Sequence, residues 1–306
     1  MRPRNWLLAP LLIVAAAISC DLPGAAPPTA FIFPTPNETL TAVFAPTTTP
    51  GASSATPAPP PPTIPATVVT PAGSSAPATA TAGSLSTRPN GVVVQAERLE
   101  SAPAIDGDLG EWAAFPYKAD QVVFGASRWT GASDASGVFA AGWDAAYLYL
   151  AIRVTDDKYV QGATGDDIWM GDEVEVQLDA DLPADFYTAS LSADDFQIGM
   201  SAGNFAAIAP QSYRWYPASK ETSLTTVTVA GKATPQGYEL EARIPWTTFS
   251  VTPAEGARYG FVLSISDNDA AGTAAQQSMV SSVATRKLLN PTTWGTMVLA
   301  GPGGGS

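Results

Sequence analysis

The sequence predicts an all-β domain, an antiparallel β-sandwich of jelly-roll character, behind an export signal and a long tether. Three observations carry this. From Gly91 onward, apolar residues recur with period two in short runs, broken by turn residues roughly every 10–15 positions. No segment carries a helical apolar stripe apart from one turn near 246–250. Composition also changes near residue 90: residues 21–90 are dominated by Pro, Thr, Ala and Ser and hold only three charged side chains, Asp21, Glu38 and Arg88. Setting those aside with Arg2 and Arg4 leaves 26 acids against 12 bases from Gly91 on, a net charge of −14. That part of the chain is long enough to bury a sizeable core.

Residues 1–19 read as a signal peptide. Arg2 and Arg4 supply a positive start, and Trp6–Ile18 is an apolar run of 13 residues. A spanning helix needs ~20. The segment ends Ala17-Ile18-Ser19-Cys20, and Cys20 is the only cysteine of the 306-residue chain. This resembles the bacterial lipobox, which implies cleavage before Cys20, lipidation there, and a membrane-anchored lipoprotein facing the periplasm or the cell exterior. Residues 20–90 then lack the charge and apolar periodicity of a folded segment and are expected to form a disordered, semi-extended tether. Residues 301–306 are a Gly-rich tail.

Between them, 91–300 reads as strands. The run 92–99 comes first. A hairpin follows, 137–143 turning through Asp144-Ala145-Ala146 into 147–154, where Leu148, Leu150, Ile152 and Val154 share one parity. Further strands are expected at 173–179, 186–191, 195–200, 211–216, 224–230, 237–244, 259–266, 276–284 and 294–299, with Pro245 closing the one before it. In the run 168–181, "IWMGDEVEVQLDAD", Val174, Val176 and Leu178 alternate with Glu173, Glu175, Gln177 and Asp179. This predicts a strand with one buried and one wet face. Trp169 shares the acid parity.

The acidity excludes a nucleic-acid footprint. The absence of histidine from the chain removes Ser-His-Asp and Cys-His catalysis, His-ligated zinc and His-ligated haem.

Six phrases in order, "AIDGDLGEW" (104–112), "AGWDAAYLYLAIRVTDD" (141–157), "WMGDEVEVQLD" (169–179), "YELEARIPW" (238–246), "YGFVLSISDND" (259–269) and "NPTTWGTMVL" (290–299), resemble the family 9 carbohydrate-binding modules and the wider DOMON-like superfamily. The resemblance implies a β-sandwich that binds glycans without catalysis, often with structural calcium. It carries a sugar site onto Trp169 and Glu175, with Gln197 on the neighbouring strand. A pyranose presents C–H groups to an indole face while its hydroxyls need fixed acceptors. Trp112, Trp143, Trp246 and Trp294, by contrast, read as packing residues. The sequence departs from the family at 284–290, "ATRKLLN", where sugar-binding members carry a second aromatic; Trp129, Tyr159 or Trp215 could supply that wall instead. For one calcium ion, Asp106 and Asp108 are favoured because the family loop lies there. Asp156-Asp157 with Asp166-Asp167, and Asp267-Asn268-Asp269, compete. Some DOMON-like relatives carry haem, but no spacing here supports the Met–Lys pair that a chain without histidine would need, so none is expected. A structural or protein-binding envelope lipoprotein that keeps the fold without the sugar site stays open as an alternative.

Overall fold

The computed structural model describes residues 87–302. The signal segment, Cys20 with its lipidation, the tether up to Ser86 and residues 303–306 lie outside the described residues. Among the described residues no helix is long and apolar enough to cross a membrane.

Fourteen strands form one curled sheet whose two halves face each other. The first half runs β10 (Thr228–Thr234), β11 (Gly237–Pro245), β5 (Tyr147–Asp156), β4 (Ala135–Trp143), with β2 (Tyr117–Ala119) paired to β4. The second runs β14 (Gly295–Leu299), β12 (Arg258–Asp267), β6 (Glu173–Asp179), β7 (Asp195–Ser201), β8 (Gln211–Tyr216), β9 (Thr222–Ser223). On its flank β13 (Ser278–Ser281) pairs with β12, and β3 (Gln121–Phe124) pairs with β13. The core fills the space between the halves: Phe139, Leu150, Ile152 and Leu240 from the first meet Val176, Leu178, Ile198, Phe261 and Leu263 from the second. Burying each such side chain stabilises the fold by ~1.5–3 kcal/mol.

Local chemistry explains the element ends. Asp144 closes the β4–β5 hairpin, its Oδ1 accepting from the backbone N–H of Ala146 and of Tyr147, each at 2.7 Å, and its Oδ2 from the Tyr149 hydroxyl at 2.8 Å. Pro245 ends β11 and is followed by the 3-10 turn Trp246–Phe249, where the sequence places a helical turn. Trp143, Trp246 and Trp294 are buried, and half-buried Trp112 donates its Nε1–H to Glu241 at 2.9 Å.

Several expectations are corrected. The sheet is not antiparallel throughout: β1 (Val94–Arg98) pairs in parallel with β14 through Val94–Ala96 and with β4 through Glu97 and Arg98, and so joins the halves. Residues 186–191 are not a strand. Pro183 sits in the helical turn Leu182–Asp185, and Phe186 is drawn over the Arg88 guanidinium, 5.7 Å from ring centre to Cζ. The strand expected at 224–230 starts at Thr228, because Leu224 and Val227 make a turn against β8. The folded unit also begins before Gly91: Arg88 is buried with its Nη2 2.7 Å from Asp179 Oδ2, and Asn90 donates to the carbonyls of Thr292 and Trp294.

Candidate functional site

The polar face of β6 is not wet. Glu173, Glu175, Gln177 and Asp179 are all at most 3% exposed. Period two reads the face correctly, but the segment from β13 to β14 folds over it. That segment is held by Trp294, which donates Nε1–H to the Lys287 carbonyl at 3.0 Å, and by Asn290, which caps a 3-10 turn through Thr292 N–H. It delivers Arg286 onto the strand. Arg286 Nε donates to Gln177 Oε1 at 2.9 Å, and Nη2 is paired with Glu175 Oε1. Gln177 in turn donates to the Leu288 carbonyl at 2.9 Å.

Glu175 is therefore fixed from both sides, since Gln197 Nε2 on β7 donates to its Oε2 at 2.7 Å. Next to it Glu173 is fully buried, and neither of its carboxylate oxygens has a partner. Burial, then the charge of Glu175, pushes the Glu173 carboxyl well above the ordinary carboxylate range. The floor thus pairs Glu175 with the Arg286 guanidinium and sets beside it a buried Glu173 whose carboxyl burial favours in its protonated form.

Trp169 stands on the 3-10 turn Gly165–Met170 rather than on the strand, yet it reaches the same place and is 39% exposed. Trp169, Glu175 and Gln197 line one pocket of about 330 Å³, together with Trp215, Gln276, Met279, Arg286 and Leu288. Two larger hollows, of about 560 and 590 Å³, are not lined by any tryptophan. Trp215 on β8 is positioned by its Nε1–H bond to the Asp166 carbonyl at 2.7 Å and by Gly199, where a Cβ would lie 2.4 Å from its Cη2. Only glycine leaves room for that ring. Of the candidate second walls, Trp215 lines the pocket, while Trp129 and Tyr159 pack against the core. Arg286 was visible in the sequence only as the residue standing where an aromatic was missing; Gln177 gave no signal beyond its parity. The resulting site offers an indole face beside a fixed carboxylate, a fixed amide and a guanidinium. It suits a ring with apolar faces and a hydroxylated edge.

Asp106 and Asp108 lie elsewhere, in an exposed turn beside β11. Asp106 Oδ1 accepts from Asp108 N–H at 2.9 Å, Asp108 Oδ1 from Gly110 N–H at 3.1 Å, and Asp108 Oδ2 meets Lys232 Nζ at 3.1 Å. Their oxygens shape the turn and its ion pair. The acids that converge are Asp134, Asp157 and Asp269; Asp156, Asp267 and Asp269; and Asp179, Asp185 and Asp195. The second and third sequence candidates therefore merge in part, while Asp166 and Asp167 stay apart on the turn that bears Trp169.

Fold and pocket together define a β-sandwich with a solvent-open pocket on one sheet. The profile of the carbohydrate family 9 binding domain-like family matches residues 105–302, and the chain belongs to that family. No curated protein matches it. Among solved structures it is similar to a family 9 carbohydrate binding module from Caldicellulosiruptor kristjanssonii in complex with cellotriose, at 21% identity and a TM-score of 0.51, over 70% of this chain and 96% of that one. The same module in complex with glucose gives 21% identity and a TM-score of 0.50, over 70% and 98%. These likenesses concern the fold.

Proposed function

We propose that this protein binds a glycan non-catalytically through the pocket of Trp169, Glu175 and Gln197, as an exported lipoprotein anchored at Cys20. The observation that carries the binding reading is the convergence of those three residues, from a turn and two strands, on one pocket. The similar structures hold cellotriose and glucose, which supports a glucose-containing glycan as ligand. A binding role rather than an enzymatic one is supported by the pocket's own carboxylates: Glu175 has both oxygens engaged and Glu173 is sealed from solvent, so neither is free for the paired acid and base work of glycoside hydrolysis. The tether and anchor rest on the sequence around Cys20.

A second reading, a scaffold that keeps the fold without a sugar site, is favoured by Arg286 occupying the place of an aromatic wall. A glycan array with the full chain and Trp169→Ala decides between them. Binding that falls roughly tenfold in Trp169→Ala, the loss of one stacking contact, supports the pocket. A cooperatively melting wild type that binds no glycan supports the scaffold.

A further inference from the structure

We propose that the ring taken by this pocket carries a carboxylate, as a glucuronate unit does, and that the free end of the Arg286 guanidinium recognises it. The inference rests on the glycan reading and narrows it to acidic glycans.

Arg286 stands where the family pattern has an aromatic, and its donors are only partly spent. Nε and Nη2 share one edge of the planar guanidinium, and that edge is committed to β6: Nε donates to Gln177 Oε1 and Nη2 pairs with Glu175 Oε1. Two anchors on one face of the strand fix the plane, and the side chain is 9% exposed. Nη1 has no acceptor among the described residues, and unlike Nη1 of Arg88 it is not sealed from solvent. The free end, Nη1 with the second hydrogen of Nη2, therefore opens on the pocket that Arg286 lines. Two parallel N–H groups fit the two oxygens of a carboxylate, whereas one hydroxyl leaves a donor idle.

The other polar groups complete the match. Gln197 and Gln276 each spend Nε2 on a protein partner, Glu175 Oε2 and Ser266 Oγ, which leaves their Oε1 carbonyls to accept from ring hydroxyls. Trp169 and Trp215 supply indole surface for the ring itself. A hexuronate brings both kinds of group, hydroxyls for the amide oxygens and a carboxylate for the guanidinium. A neutral hexose leaves the charged donor pair without a matching acceptor, and sites built around such a donor discriminate against the sugar that lacks its partner.

The long-range field works against an anion, because the folded part of the chain is strongly acidic. A preference for an acidic sugar must therefore come from contact inside the pocket rather than from steering. The floor permits that contact. Both oxygens of Glu175 are engaged, and Glu173, whose carboxyl burial holds above the ordinary range, adds little charge against a carboxylate.

The test is calorimetric titration of D-glucose and of D-glucuronate into the full chain at matched ionic strength, since the two sugars differ only at C6. Glucuronate is expected to bind roughly tenfold or more tighter than glucose, the worth of one hydrogen-bonded charge. Arg286→Lys keeps a cation for Glu175 but loses the fork, and is expected to bring the two affinities together. The double variant Arg286→Gln with Glu175→Gln strands no charge and is expected to do the same, melting showing that each variant folds. Glucose binding as tightly as glucuronate to wild type, or a preference undiminished in the folded variants, overturns the inference; glucose binding that Trp169→Ala abolishes still supports the glycan reading in that event. Neither sugar binding to a cooperatively melting wild type overturns both.

Discussion

Truncating Arg286 tests the account of the pocket floor most directly. Arg286→Ala removes the bond to Gln177 and the ion pair to Glu175, whose side chains are 9% and 3% exposed across the pair. Glu175 is left as a buried charge beside Glu173, with only Gln197 to donate to it. Breaking a buried pair from one side costs ~3–5 kcal/mol. The surviving Gln197 bond puts the expectation at the lower end, ~3 kcal/mol. In a domain of this size that lowers the melting temperature by ~6–12 °C. The variant Glu175→Gln removes the stranded charge, so Arg286→Ala made in that background should cost ~2 kcal/mol less than in wild type. Urea unfolding followed by tryptophan fluorescence gives all four corners of the cycle. If Arg286→Ala lies within ~0.5 kcal/mol of wild type, as a surface pair would, or costs the same in both backgrounds, Arg286 does not hold Glu175 as described.

Glu173→Gln is expected to stabilise at neutral pH by ~1–3 kcal/mol, since the amide need not take up a proton on folding as the buried carboxyl does. Its folded carboxyl titrates above the ordinary range, so the folded state holds the proton more firmly than the unfolded chain. Wild type should therefore lose stability relative to the variant as pH rises from ~4.3, and the two should converge in acid; urea midpoints at pH 4 and 7 check this. Gly199→Ala places a methyl 2.4 Å from Trp215 Cη2 and 2.8 Å from Glu173 Oε2, so it should cost ~1–3 kcal/mol and weaken any glycan that binds wild type, read by melting and by titration. Arg88→Ala should cost ~3–5 kcal/mol in urea, since it strands Asp179, whose carboxyl burial pushes to about 7 despite the guanidinium. A chain starting at Gly91 should show the same deficit.

The fold was legible because alternation survives wherever a strand has one face in the core. The bounds of β6 and β8 and the β4–β5 hairpin could be read from Val174, Val176 and Leu178 and from the turn at Asp144. Strands β2 and β3 were not, because "YKADQVVF" is too short and mixed to show a period. The parallel seam at β1 depends on where the first and last strands of the described residues meet, which alternation does not encode. Within the site, Trp169, Glu175 and Gln197 could be named in advance only through the family pattern. That the acid face of β6 is covered, and that Arg286 and Trp215 cover it, depends on residues 49 and 111 positions apart in the chain, Asp166 with Trp215 and Glu175 with Arg286. Asp269 meets Asp134 for the same reason: three separate strand ends open at one edge.

The strand that joins the two halves has a mechanical consequence. A pull entering from the amino-terminal side of Thr87 first meets Arg88, locked to Asp179 on β6, and then β1. Because β1 runs parallel to both β14 and β4, its cross-strand bonds lie across the line of pull and are loaded together rather than opened one at a time. The load is shared between both halves of the sandwich at once. A domain held from that side would keep its pocket intact under tension until the whole seam slid.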